Sequence, residues 1–350
     1  MVKTYTSMEE FQKIISIRSK LKKYSVSKVN SLIDFNNYIK EFDLIIADKN
    51  VKSHLDQSII NIEYIECTEE TKSWDNLDLI LGILVKYNLN QKSKVIIIGG
   101  GVLQDSVSFC CSIFNRGIPF EFAPTTLLSM CDSCIGGKTS INYFGFKNKL
   151  GNFYPPDRIL INKEFLSTLE QKEVLSGLGE IFKFYILQSQ YKKITQLSTS
   201  NISYDMIFDS LNFKAKIVEN DEFDNGERIK LNYGHTFGHA IESTSNYKIP
   251  HGLGVVIGIN IANYISYKLN FLSHNKYLKI KKMSDFFLKD LSVDKKWLEI
   301  DDIIPIIEKD KKNISGIRMM LLTNDGFKLE KMDKELLIKS FNEYKNDELK

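Results

Sequence analysis

The chain has 350 residues, with 47 Lys+Arg against 44 Asp+Glu and a formal net charge of +3. Hydrophobic residues make up 43% and charged residues 26%, which excludes a disordered chain, a collagen-like repeat and a disulfide scaffold. So small a net charge leaves no electrostatic footprint for nucleic acid. The length exceeds the ~250–300 residues at which one core stops growing, so two domains are expected.

No run approaches the ~18 apolar residues of a membrane span, and residues 1–23 lack the apolar segment of a secretory signal. The cysteines are Cys67, Cys110, Cys111, Cys131 and Cys134, without a framework spacing. A reduced, cytoplasmic protein that engages neither membrane nor nucleic acid is the expectation. Cys131-x-x-Cys134 has the spacing of a zinc half-site or a redox pair. No second pair accompanies it, and two small thiols in a loop are the simpler reading.

In chain order, residues 43–47 form a short β-rich run and 77–87 show helical apolar spacing. Residues 94–98 read as a buried strand running into Gly99-Gly100-Gly101, followed by a helix over 102–114. Strands are expected over 120–123 and 158–161. This alternation predicts an α/β domain with a mainly parallel sheet. The strand–GGG–helix junction offers backbone N–H groups to a pyrophosphate, or simply makes a tight turn. The long connection from Pro124 to Asn148 carries hydroxyls, an acid, a glycine pair and lysines, a composition suited to an anionic ligand.

Beyond it, residues 170–187, 204–219, 225–244 and 252–269 are helix-length segments. The expected division is an α/β domain over 1–162 and a mainly helical domain over 163–350. Three of the five histidines, His235, His239 and His251, lie close together in sequence. On a helix over 225–244, Arg228, Asn232, His235 and His239 fall within an arc of roughly 60°. An arginine, an amide and two imidazoles make a poor core face and a good functional one. Glu180, in Gly177-Leu178-Gly179-Glu180-Ile181-Phe182-Lys183, reads either as a solvated acid paired with Lys183 or as a metal ligand. With two imidazoles it makes the ligand set of a catalytic zinc site.

The motifs in order are GGG…D at 99–105, RG at 116–117, PTTLL at 124–128, DS-x-x-GGKT at 132–139 and KN at 147–148. GLGE-x-x-K at 177–183, R-x-x-x-N-x-GHTFGHAIE at 228–242 and HG at 251–252 follow. Together they resemble the dehydroquinate synthase family of sugar-phosphate cyclases. That resemblance implies an N-terminal NAD-binding α/β domain, a C-terminal helical metal and substrate domain, and an active site in the cleft between them. It gives Glu180, His235 and His251 to zinc, with cobalt as the alternative ion. Gly100, Gly101, Asp105, Thr125, Thr126, Leu128, Lys147 and Thr168 correspond to NAD contacts, with Asp48, Asn50, Glu69 and Lys72 more distant. Asp132, Lys138, Asn148, Lys183, Lys214, Arg228, Asn232 and His239 correspond to residues that hold a sugar phosphate. Arg116 resembles an arginine that reaches a neighbouring subunit, which implies a homodimer. Lys311 or Lys312 corresponds to a terminal site lysine.

The activity so implied is the conversion of 3-deoxy-arabino-heptulosonate 7-phosphate to 3-dehydroquinate and phosphate, with NAD recycled. Gln104 stands where the family usually has glycine, Ser106-Val107-Ser108 replaces Leu-Ala-Gly, and Leu253-Gly254 replaces Glu-Ala. These departures keep open a divergent cyclase acting on sedoheptulose 7-phosphate or a related sugar phosphate. Asn232, His239 and the GGKT loop nevertheless stay of the dehydroquinate synthase type. A metal-dependent alcohol dehydrogenase has no use for the cationic set Lys138, Arg228 and Lys311 or Lys312. A non-catalytic relative would not need the intact ligand triad.

Overall fold

The computed structural model describes residues 11–144, 146–289, 291–309 and 316–348. They form two compact units, one of the chain up to Leu169 with Ser203–Phe223, the other of Glu170–Ile202 with the chain from Asp224 onward. The single passage expected at residue 162 is thus replaced by three, after Leu169, Ile202 and Phe223.

The first unit opens with β1 (Gln12–Arg18), β2 (Lys23–Lys28), α1 (Leu32–Ile39), β3 (Leu44–Asp48), β4 (Ile62–Ile65) and α2 (Trp74–Lys86). It continues through β5 (Val95–Gly99), α3 (Gly101–Ile113), β6 (Glu121–Pro124), β7 (Ile141–Tyr143), β8 (Phe146–Leu150) and β9 (Arg158–Ile161). The chain then enters the second unit as α4 (Gln171–Leu187) and the single turn α5 (Tyr191–Ile194), and α6 (Tyr204–Asn220) returns to the first. Seven strands make one sheet in the order β1-β2-β9-β6-β5-β3-β4. Within that sheet only β1 and β2 pair antiparallel. β3 and β5 are buried at every position, which is why their sequences are unbroken apolar runs rather than alternating ones.

The strand order reverses at β3, which has β4 on one side and β5 on the other. Open parallel sheets bind ligands outside the carboxyl ends of strands at such a switch point. β5 exits there into the glycine run, with Gly100 as the N-cap of α3. A Cβ on Gly100 would lie 3.1 Å from the Thr126 side chain, so the turn and the segment after β6 lie against each other.

The second unit adds α7 (His235–Thr244), α8 (His251–Lys268), α9 (His274–Leu288), α10 (Ile300–Lys309), a β10 (Arg318–Leu322)–β11 (Phe327–Lys331) ribbon and α11 (Lys334–Glu348). α8 is buried from Gly252 to Ser266 and packs against α4 and α7 through glycines. A Cβ on Gly179 would lie 2.4 Å from the Gly252 carbonyl oxygen, and one on Gly258 would lie 1.9 Å from that of Gly234. Gly238 and Gly254 meet in the same way, so one of the departures, Gly254, helps α7 approach α8. No helix among the described residues is long and apolar enough to cross a membrane.

The helix expected over 225–244 is broken. A 3-10 turn spans Glu227–Asn232, and α7 begins only at His235. Gly234 between them has φ +81°, a left-handed conformation that costs a side chain energy and that glycine adopts freely. Arg228 and Asn232 therefore do not share a helical stripe with His235 and His239, and the arc argument fails for them.

Gly179→Ala should destabilise the protein by about 3 kcal/mol, because its new methyl meets backbone rather than a yielding side chain. Gly82→Ala is the control. Nothing lies within 4 Å of a Cβ there, so better helix propensity in α2 should stabilise by about 0.5–1 kcal/mol. Chemical denaturation of the two variants measures both.

Candidate functional site

In the second unit the glycine contacts bring a carboxylate and three imidazoles together. Glu180, on α4 beside Gly179, is 0% exposed, so the solvated reading is excluded. Lys183, also buried, contacts its Oε2. Apart from that ammonium, neither oxygen of Glu180 has a hydrogen-bond partner. The Nε2 atoms of His251 and His235 lie 3.5 and 3.6 Å from its Oε1, beyond a good hydrogen bond. Metal–ligand bonds of about 2.0–2.2 Å put neighbouring tetrahedral ligands about 3.3–3.6 Å apart.

The outer nitrogens are engaged elsewhere. His251 Nδ1 meets Glu242 Oε2 at 3.2 Å, and His235 Nδ1 meets the Tyr233 carbonyl at 3.2 Å. Turning Nδ1 toward a carboxylate or carbonyl and Nε2 toward a common point is how metal-ligating histidines are oriented. His239 joins them, since ligand atoms of His235, His239 and His251 all lie within 4.8 Å of one another. The residues present therefore fit a divalent metal. Burial disfavours a charged His251, but the carboxylates of Glu180 and Glu242 outweigh it and push its pKa up to about 10. Glu242 is the residue that sequence reasoning missed, although it is the one acid of α7. Arg228 is buried and Asn232 half-buried on their 3-10 turn.

The first unit gathers polar groups at the carboxyl ends of its strands. Asp48, at the end of β3, accepts the Asn50 N–H at 2.9 Å, and burial raises its carboxyl above the usual range. Lys72 is buried and bonds Asp105 Oδ2 at 2.5 Å and Asn148 Oδ1 at 2.6 Å. Ser140 Oγ donates to the same two oxygens. Glu69 accepts from the Asn142 amide at 2.8 Å and pairs with Lys147 at 3.6 Å. Glu69, Lys72, Asp105 and Lys147, of the positions expected to serve NAD, and the substrate residue Asn148 thus belong to one network, with Ser140 and Asn142 as members the motifs did not reveal. Thr125 is buried, Thr126 and Leu128 are half-buried, and Thr168 Oγ1 meets His54 Nε2 at 2.9 Å.

Cys131-x-x-Cys134 lies on a π-helical turn (Ser129–Ser133) rather than in a loop. Both thiols are buried, and burial pushes Cys134 up to about 12, which suits neither a redox thiolate nor a zinc ligand. The turn carries Asp132, whose Oδ1 pairs with Lys214 of α6 at 2.6 Å. Lys138 is exposed beyond it. Arg116 is exposed at φ +63° between Asn115 (φ +48°) and Gly117 (φ +112°). It forms no hydrogen bond or ion pair with another described residue. Lys311 and Lys312 lie outside the described residues.

Similar folds recur in solved structures. A 2-deoxy-scyllo-inosose synthase complexed with carbaglucose-6-phosphate, NAD+ and Co2+ has a TM-score of 0.80 at 20% identity, covering 94% of this chain and 99% of its own. The 2-epi-5-epi-valiolone synthase of Streptomyces hygroscopicus, with NAD+ and Zn2+ bound, has 0.80 at 19%, covering 95% and 99%. A glycerol dehydrogenase from Schizosaccharomyces pombe has 0.53 at 13%, covering 91% and 88%. These likenesses give the fold, that of the cyclases.

Sequence goes further. The family models for the 3-dehydroquinate synthase N-terminal and C-terminal parts match residues 62–176 and 177–313. The 3-dehydroquinate synthase of Pelagibacter ubique is 34% identical over 95% of this chain and 94% of its own. That of Dictyoglomus thermophilum is 36% identical over 80% of each. The chain belongs to the dehydroquinate synthase family and is an enzyme, a lyase of the 3-dehydroquinate synthase type.

The metal cluster makes a direct prediction. His251→Ala should lose tightly bound divalent metal while the fold stays intact, as elemental analysis and circular dichroism would report. Glu242→Ala should keep the metal with affinity weakened about 10–100-fold. Full occupancy in His251→Ala would overturn the ligand assignment.

Proposed function

We propose that the enzyme converts 3-deoxy-arabino-heptulosonate 7-phosphate to 3-dehydroquinate and inorganic phosphate, a step of the shikimate route to aromatic amino acids. In this reading it uses recycled NAD and one zinc ion, with Co2+ as the alternative metal. The observation that carries it is Glu180, fully buried, with the Nε2 atoms of His235 and His251 held 3.5–3.6 Å from one of its oxygens. The names of the relatives and the NAD+ and metal of the two cyclase structures support it.

Bound NAD would supply a reversible hydride acceptor, and a bound divalent metal would supply a Lewis acid toward a substrate hydroxyl. Glu180, His235 and His251 hold that metal, while Glu242 and the Tyr233 carbonyl fix the two rings. Lys183 meets the buried Glu180 carboxylate. Gly100 and Gly101 let a pyrophosphate approach the start of α3, and Asp105, Lys72, Glu69, Lys147, Thr125, Thr126, Leu128, Thr168, Asp48 and Asn50 surround the rest of the dinucleotide. Asp132, Lys214, Lys183 and Asn232 orient the ring hydroxyls. Lys138, Asn148 and His239 bind the phosphate, whose own oxygen takes the proton as it leaves. Arg228 presents a planar fork to the C1 carboxylate, a bidentate match.

A homodimer fits Arg116. A non-glycine residue held left-handed costs of order 1–3 kcal/mol, and in this reading the exposed Arg116 serves a neighbouring subunit's phosphate. The free thiols suit a reducing, cytoplasmic setting. The second reading, a divergent cyclase for sedoheptulose 7-phosphate, draws on Gln104 and Leu253, both buried where the family has other residues. An alcohol dehydrogenase is less well supported, because it leaves Lys138 and Arg228 unused.

Phosphate release with NAD and zinc, measured on the C7 keto acid, sedoheptulose 7-phosphate and glucose 6-phosphate, decides between them. We expect turnover of the keto acid without accumulation of NADH, favoured over sedoheptulose 7-phosphate by roughly 30- to 1000-fold in kcat/KM. Arg228→Ala should erase most of that ratio by harming the keto acid alone. Equal turnover of sedoheptulose 7-phosphate by the wild type would give the second reading the lead.

A further inference from the structure

Gln104 is the departure nearest the glycine run, and nothing in the proposed chemistry uses it. It lies in the first turn of α3, where its own N–H donates to the Gly100 carbonyl at 3.0 Å. The residue is 4% exposed, and its amide does not turn outward. It crosses instead to the π-helical turn. Nε2 donates to the Ser133 carbonyl at 3.1 Å, and Oε1 accepts from the Ser133 hydroxyl at 3.1 Å. With donor and acceptor both matched to one residue, the amide has a single favourable orientation.

A π-turn is a rare, weakly self-supporting form of backbone. In this one Cys134 N–H reaches the Ser129 carbonyl at 3.2 Å, and side chains hold the successive carbonyls of residues 132 and 133. Lys214 Nζ donates to the Asp132 carbonyl at 2.7 Å while pairing with its carboxylate at 2.6 Å. Gln104 takes the next carbonyl, that of Ser133. The glycine run abuts the same residue, since a Cβ on Gly101 would lie 3.4 Å from the Ser133 hydroxyl. All these partners belong to one compact unit.

We propose that Gln104 is a positioning residue that ties the π-turn bearing Asp132 to the start of α3, fixing the Asp132 carboxylate for the substrate. The role in substrate binding rests on the function proposed above; the tie itself does not.

Gln104→Met keeps the volume and removes both hydrogen bonds, and Ser133→Ala removes one partner. In Gln104→Met, hydrogen exchange at the Cys134 and Ile135 amides should accelerate at least tenfold, while the β5 and β6 amides and the Kd for NAD stay within about twofold. With the preferred sugar phosphate, KM should rise about 5- to 30-fold and kcat fall less than threefold. Gln104→Met/Ser133→Ala should match Gln104→Met alone, whereas independent effects would multiply. Unchanged exchange at Cys134 and Ile135 would overturn the tie whether or not the enzyme turns over any sugar phosphate. Faster exchange with unchanged KM, or a loss confined to kcat and thermal stability, would overturn the positioning role. A wild type without lyase activity would instead overturn the proposed function, and the exchange measurement would still decide the tie.

Discussion

Backbone contact between helices is what the metal-type cluster depends on. Ordinary side chains hold packed helices 8–10 Å apart, which leaves short polar side chains from three helices too distant to meet. Here Gly179 of α4 meets Gly252 of α8, while Gly234 and Gly238 beside α8 meet Gly258 and Gly254. Each polar residue of the cluster adjoins one of these glycines: Glu180 follows Gly179, His235 follows Gly234, His239 follows Gly238 and His251 precedes Gly252. The same residues that close the helices therefore aim the ligands. Burying a carboxylate costs several kcal/mol, and Lys183 is the ammonium that meets Glu180 there.

The first unit solves a different problem, that of holding irregular backbone at the end of a regular sheet. Its parallel strands end in segments whose polar groups no ladder satisfies, and side chains take over. Lys72, Asp105, Ser140 and Asn148 close one network, and Gln104, Ser133, Asp132 and Lys214 close another. Both are built from residues far apart in sequence, so the geometry at the switch point reports the packing of the whole unit. Precision there comes from crosslinking by hydrogen bonds, whereas in the helical unit it comes from the absence of side chains.

Features set by local pattern were legible in the sequence. Uninterrupted apolar runs announced β3 and β5, and the scarcity of histidines made His235, His239 and His251 conspicuous. The helix over 225–244 misled because Arg228, Asn232, His235 and His239 recur at helical spacing by chance, and Gly226 and Gly234 outweigh that spacing. Glu180 with Lys183 at i+3 looks the same on paper whether solvated or buried; only the packing of α4 on α8 separates the two. The ribbons β1–β2, β7–β8 and β10–β11 passed unrecognised because each has a strand with few buried apolar residues to mark it, as in the five-residue β11, which has no buried position. Membership of α6 in the first unit was beyond sequence pattern, since an amphipathic helix does not state which sheet it covers.

That last feature has a consequence for the order in which the protein can be made. Synthesis runs from the N-terminus, and domains generally fold as units as they emerge. The first unit is incomplete until Phe223 has left the ribosome, by which time α4 of the second unit has already been made. Until α6 arrives, the π-turn lacks Lys214, and residues of β1 lack the helix that contacts them. A nascent chain must hold a seven-stranded sheet uncovered while the whole of Glu170–Ile202, a segment of the other unit, is made. No single cut in the polypeptide releases either unit whole.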